Sequence, residues 1–346
     1  MIVFLSGNLG LWSEQVQSVQ SVQKVADSFY TMDYTYDYDI DRLLECGVSN
    51  HVQLVLDGVS RSLFGSKRFG CTTFNAVNQD GEYLFARNYD YMDSPYLLVW
   101  THPENGYASL SSVSLYFLLY NDTFLPEDEL TASLTLLAPY IPVDGMNEKG
   151  LSIGVLELET PPTFQVTTRP NLTTTAMIRA VLDKCATVDE AIEMFRTHDM
   201  RDLLLDACSY HYQIADAKGN TAVIEYANGK MQVLRPEKNK KNAVDSMVAA
   251  NYHLIEGVRD PNGMGQERAE IVQKALDKTK NRMSEKQAMQ VLQNVSMKDK
   301  NLHGYICSTL WSAVYNTKDL TLNVCVNNDY KHTYSFSLKK PQVVKK

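Results

Sequence analysis

The apolar positions change their spacing along the chain, and the changes mark its elements. From Ser13 to Ala26 the sequence is polar and helix-compatible. Beyond an acidic and aromatic stretch, MDYTYDYDID, the positions Leu43, Leu44, Val52, Leu54, Val55, Leu56, Val59 and Leu63 follow mixed helical spacing. That spacing predicts a helical segment stopped at Gly65. At Phe69 the texture turns to alternation. CTTFNAV reads as a strand, NQDGE as an Asp-Gly turn and YLFAR as the returning strand, so residues from Cys71 form a hairpin.

Further strands are predicted at Leu97–Thr101, Leu151–Leu156, Tyr210–Ala215 and Ala222–Tyr226, the last two joined by the turn DAKGN. Helices are predicted at Thr173–Cys185, Val188–Arg196, Arg268–Leu276 and Glu285–Asn294, with Ser284 and Gln287 spaced as a capping box. The segment TLWSAVYNTKDLTLNVCVN returns to hairpin texture. Strands, then helices, then strands favour an α+β fold over a doubly wound parallel sheet. No glycine-rich phosphate loop follows a predicted strand.

Composition narrows the function. The chain has 346 residues, 44% hydrophobic and 21% charged, which suits one large domain or two smaller ones. A net charge of −8 argues against non-specific nucleic-acid binding, and the short run Lys238–Lys241 reads as a solvated loop. Six widely spaced cysteines fit neither a disulfide framework nor a zinc site. The N-terminus lacks a basic region before its short apolar run, and no stretch is long enough to span a membrane. The expectation is a cytoplasmic, reducing compartment. On that reading the sequons at Asn121, Asn171 and Asn294 are chance.

One cysteine stands apart. In FGCTTF, Cys71 heads a strand directly after a glycine. Glycine at position 70 would allow unusual backbone angles and leave its carbonyl open to attack. An N-to-S acyl shift there would cleave Gly70–Cys71 and free the Cys71 α-amine, a base with a pKa of about 8. Taken alone, Cys71 is better read as a buried structural thiol; its context changes that. The hairpin would return Arg87 and Asp90, in ARNYDYMD, close to Cys71. The guanidinium would favour the thiolate, and Asp90 could hold the new ammonium.

Together, GCTTF, ARNYDY, DGMNEKGL and AANYH resemble the choloylglycine hydrolase family, across essentially all of residues 71–335. That superfamily includes bile salt hydrolases, penicillin V acylases, acid ceramidase and N-acylethanolamine acid amidase. The resemblance implies the four-layer αββα sandwich of N-terminal-nucleophile hydrolases and a self-processing amidase for linear, non-peptide C–N bonds. It implies that Cys71 is the nucleophile, that Arg87 and Asp90 support it, that the Asn251 amide helps form an oxyanion hole, and that Arg268 is a later active-site arginine.

Two departures stand out. Ten residues after the Asn of NEKGL, bile salt hydrolases carry an asparagine where this chain has Glu157, similar to the ceramidase and acylethanolamine branch. A glutamate there is expected to offer its backbone N–H. Seventy residues also precede Cys71, similar to precursors whose leader stays bound as a small subunit. The expected division is a helical leader, 1–70, and a hydrolase domain, 71–346. No metal or organic cofactor is signalled. Expected partners are a small N-acyl amide and the chain's own leader, with self-association left open. Asn147 reads as structural, and Trp311 and Tyr315 as core. Four other functions stay open: an acyltransferase of the isopenicillin N type, a bile salt hydrolase or penicillin V acylase, a Cys–His peptidase using His211 or His253, and an inactive binding homologue.

Overall fold

The computed structural model describes residues 13–47, 70–201, 208–236, 245–258, 263–302 and 304–344. The part of the predicted helical segment from Val52 through Leu63 and the lysine run at 238–241 lie outside these residues.

Two sheets dominate. The first runs in the order Gln23–Ala26, Phe29–Tyr34, Tyr96–Thr101, Ser109–Ser114, Asp144–Asn147, Ser152–Leu158, Ser209–Ala215, Thr221–Ala227 and Lys230–Leu234. Its pairings are antiparallel, except that Phe29–Tyr34 runs parallel to Tyr96–Thr101. The second runs Val248–Ala250, Gly70–Val77, Tyr83–Tyr91, Tyr305–Asn316, Thr321–Val326, Tyr334–Ser337 and Lys340–Val344, antiparallel throughout.

The sheets stack face to face through aromatic side chains. Trp311 of the second sheet lies between Tyr89 of its own sheet, 4.1 Å away, and Tyr96 of the first, 4.6 Å away. The outer faces carry helices. Thr174–Lys184 and Val188–Thr197 cover the first sheet. Gly145 permits this approach, because a Cβ there would lie 2.7 Å from the Leu110 carbonyl oxygen and 2.9 Å from Leu182. Gln266–Thr279 and Glu285–Asn294 cover the second sheet, burying Val272, Leu276 and Leu292 against Phe74, Leu84 and Val314. This is the αββα layering expected. The capping box also forms, with Ser284 and Gln287 reciprocally bonded.

The leader departs from expectation. Its first helix spans Ser13–Gln20, the polar stretch read as helix-compatible continues as the strand Gln23–Ala26, and a second helix, Ile40–Cys46, takes in Leu43 and Leu44 of the predicted helical spacing. The strand Phe29–Tyr34, which runs into the acidic and aromatic stretch, buries Phe29, Tyr30, Met32 and Tyr34. The reason is packing: both faces of this strand are covered. Tyr30, Met32 and Tyr34 join Leu97, Val99 and Leu115 on the outer face. On the inner face Phe29 stacks on Tyr96 at 4.8 Å and meets Tyr334 and Phe336 of the second sheet edge-on. Burying four such side chains outweighs a weak helical preference, at about 1.5–3 kcal/mol each.

Phe29→Ala should therefore destabilise the whole molecule, although it lies in the leader. The expected cost is about 3–5 kcal/mol, read as a lower urea midpoint; an unchanged midpoint would show that the leader is peripheral to the core.

Candidate active site

Strand register builds the site. Gly70 pairs with Asp90, Cys71 with Tyr89, Thr72 with Asn88 and Thr73 with Arg87. Alternation then puts Cys71, Tyr89 and Arg87 on one face of the hairpin and Thr72 and Asp90 on the other. On the Cys71 face, between the sheets, Arg87 Nη2 donates to Cys71 Sγ at 3.2 Å. Arg87 is itself fully buried, held by its Nη1 bond to the Val143 carbonyl at 2.6 Å and by Asp144, whose Oδ2 lies 3.3 Å from Nε. Gly154 makes room for the guanidinium, since a Cβ would stand 2.9 Å from Nη1.

The opposite face controls the main chain of Cys71. Ala250 pairs with Thr72, so the next residue, Asn251, arrives beside Cys71. Its Oδ1 accepts from the Cys71 N–H at 2.6 Å, and its Nδ2 donates to the Glu157 carbonyl at 3.0 Å. Arg268, near the start of its helix, donates through Nη1 to the Cys71 carbonyl, to Thr72 Oγ1 and to Asp90 Oδ2, and through Nη2 to Asn251 Oδ1. Asp90 also accepts from Thr309 Oγ1 at 2.5 Å.

All six candidate residues thus converge, though one expectation, that of a depressed thiol, needs correction. At Gly70 space is tight, since a Cβ would meet the end of the Met297 side chain and stand 3.0 Å from Asp90. The thiol is not depressed: burial pushes Cys71 up to about 12, outweighing the pull of Arg87 and Arg268. The Glu157 backbone carbonyl accepts from the Asn251 amide. Asp90 lies opposite Gly70 and bonds Arg268, while the N–H of Cys71 donates to Asn251.

Asp144 is the residue missed. It lies inside DGMNEKGL, where only Asn147 was weighed. Asn147 is structural, capping Leu182 and Cys185 carbonyls and accepting from Lys149 and Leu151 N–H groups. Asp144 instead accepts from Trp311 Nε1 and Tyr315 OH while pairing with Arg87. A buried carboxylate spaced from two aromatic donors could have flagged it.

The two histidines do not stand against the thiol. Both rings direct Nδ1 at Glu225. Among the described residues, no group of three or more His, Cys, Asp or Glu side chains is arranged to hold a metal ion. A cavity of about 550 Å³ opens beside Arg268, lined also by Met264, Ile271, Val295 and Met297.

Residues 129–331 match the family model described as acyl-coenzyme A:6-aminopenicillanic acid acyl-transferase. The chain belongs to that family. The match takes in Asp144, Glu157, Asn251 and Arg268 but begins after Cys71 and Arg87. A penicillin V acylase of Pectobacterium atrosepticum is 28% identical over 199 residues, 52% of this chain. The chain spans about half the length of that relative, 50%. A conjugated bile acid hydrolase of Clostridium perfringens, solved as two variants, superposes with a TM-score of 0.56 at 15% and 16% identity. These superpositions cover 79% and 80% of this chain and 95% and 97% of the hydrolase. The acyl-transferase family member therefore has the N-terminal-nucleophile hydrolase fold and falls in the choloylglycine hydrolase superfamily.

Replacing Asp144 tests the support beneath Arg87. Asp144→Ala should cost about 3–5 kcal/mol in denaturant unfolding, because it leaves a buried guanidinium without its counter-charge. Asp144→Ala with wild-type stability would show that the ion pair holds nothing.

Proposed function

We propose that this protein is a self-processing cysteine amidase acting on linear N-acyl amides. The observation that carries the reading is that each polar atom of Cys71 is engaged: Sγ by Arg87, N–H by Asn251 and the carbonyl by Arg268. A structural cysteine needs no such set.

Processing would begin with Sγ forming a bond to the Gly70 carbonyl carbon. The Gly70–Cys71 C–N bond breaks, and the thiol proton passes to the departing nitrogen. Water then opens the thioester, leaving a Gly70 carboxylate, a free thiol and a Cys71 α-amine. The amine next serves as base while the thiol attacks a substrate amide, expels the amine product and is released by water. Arg268 and the Asn251 amide are suited to stabilise the oxyanion, and Asp90 to anchor the amine. The leader, which supplies two strands of the first sheet, is suited to remain as a bound subunit.

Because burial holds the thiol near 12 in the intact chain, self-cleavage through the thiolate, followed on denaturing gels, should accelerate about tenfold per pH unit between about pH 6 and 9. Denatured wild-type protein should resolve into fragments of 70 and 276 residues (346 − 70 = 276). Cys71→Ala should remain one chain, and the fragments should co-elute under native conditions. An active protein that stays uncleaved would overturn the mechanism.

For substrate, Glu157 and the long leader favour long-chain N-acyl amides over bile-acid conjugates. The aromatic cluster Tyr91, Tyr116 and Phe117 adjoins Tyr89 on the thiol side and supplies an apolar wall. Rates should climb with acyl length, each buried methylene contributing about 0.8 kcal/mol. Preferred turnover of glycine- or taurine-conjugated bile acids, with no dependence on acyl length, would refute this assignment. The family description supports a second reading, acyl transfer, in which an amine resolves the thioester; adding a competing amine to the same assay separates the two by the acylated product.

A further inference from the structure

The buried carboxylate of Glu225 lies outside the machinery just described, yet it ties that machinery in place. Glu225 sits on Thr221–Ala227 of the first sheet and is fully buried. Its Oε1 accepts from His211 Nδ1 at 2.9 Å and from the Leu254 N–H at 2.8 Å. Its Oε2 accepts from His253 Nδ1 at 3.2 Å and from the Ile255 N–H at 3.3 Å. Three of the four donors belong to residues 253–255, the segment that leaves the second sheet immediately after Asn251. His253 is fixed at its other end by Thr160, whose Oγ1 lies 3.2 Å from Nε2. Thr160 follows the strand that carries Glu157, the residue whose carbonyl receives the Asn251 amide.

We infer that Glu225, acting through His253 and the Leu254 and Ile255 amides, is a positioning residue for Asn251. The inference rests on the reading of Asn251 as part of the processing site. Asn251 sits at the end of a three-residue edge strand, Val248–Ala250, so its short strand alone does little to fix it. The carboxylate adds a constraint on the main chain by crossing from one sheet to the chain leaving the other. An ionised carboxylate can accept all four donors, whereas an amide in its place offers one oxygen and sets its own N–H groups against two of them. A displacement of about 1 Å at a reacting centre can cost up to about a hundredfold in rate. Here the atom displaced would be Oδ1, which holds the nitrogen of the bond to be cut.

The test uses the full chain, made as fresh precursor by rapid cell-free synthesis, with Gly70–Cys71 cleavage followed on denaturing gels and folding checked by urea midpoint. Glu225→Gln should slow cleavage about ten- to a hundredfold. His253→Ala should do the same, and His253→Asn should recover much of the rate, because its side-chain N–H falls near the lost Nδ1–H. Asn251→Ala should be slow, and adding Glu225→Gln to it should change nothing more, the signature of two residues acting through one another. Wild-type cleavage rates in Glu225→Gln, or effects of Glu225→Gln and Asn251→Ala that multiply, would overturn the positioning role while leaving the reading of Asn251 intact. Wild-type cleavage in Asn251→Ala would overturn that reading, and the positioning role with it. Rates in the His253 variants that follow only their urea midpoints would mark the cluster as structural and overturn the proposal.

Discussion

A buried ion pair across the gap between the two sheets, Arg87 with Asp144, is the constraint on which the site depends. Arg87 comes from the hairpin that begins at Cys71 and Asp144 from the facing sheet. Such a pair is a poor source of stability, because desolvation offsets most of its attraction. What it does supply is position. The carboxylate is held by Trp311 and Tyr315, and Trp311 is clamped between two tyrosines. The guanidinium is confined by the Val143 carbonyl and by the space Gly154 leaves. The sheets can then slide little without separating charges that have no solvent to receive them. The thiol, 3.2 Å from Nη2, inherits that rigidity.

A second guanidinium–carboxylate pair, Arg268 with Asp90, lies on the other face of the same hairpin. The strand beginning at Gly70 is therefore governed from both sides. The inner layer addresses the Cys71 side chain, whereas the outer layer addresses its peptide groups through Arg268 and Asn251. Alternation of side chains makes this division possible with residues three apart, Arg87 and Asp90. Neither face alone would hold both the Cys71 side chain and its peptide groups.

Local features were legible in the sequence, and long-range ones were not. The Asp-Gly turn and alternating flanks specify the hairpin, and with it the approach of Arg87 to Cys71. The capping box at Ser284 and the helix at Glu285–Asn294 are likewise written in neighbouring residues. Asn251 and Arg268 were reached through resemblance to a family, because nothing near them in the chain points to Cys71. Asp144 escaped because its partners lie 57 residues before it and 167 and 171 after it. The strand Phe29–Tyr34 escaped because its burial depends on a parallel neighbour at Tyr96–Thr101. The height of the thiol's pKa could not be read from Arg87 alone, since burial, a property of the whole fold, opposes it.

That parallel neighbour has a thermodynamic consequence. Strand pairing across the Gly70–Cys71 bond means that one sheet draws on chain from both sides of it. While the bond is intact, the leader strand finds its place as part of a single chain, at a cost in loop closure that grows only slowly with length. Under the proposed cleavage the same contacts would join two molecules, and their reassembly after unfolding would become second order and dependent on dilution. The folded two-chain form would then persist by the height of its unfolding barrier more than by its equilibrium with separated pieces.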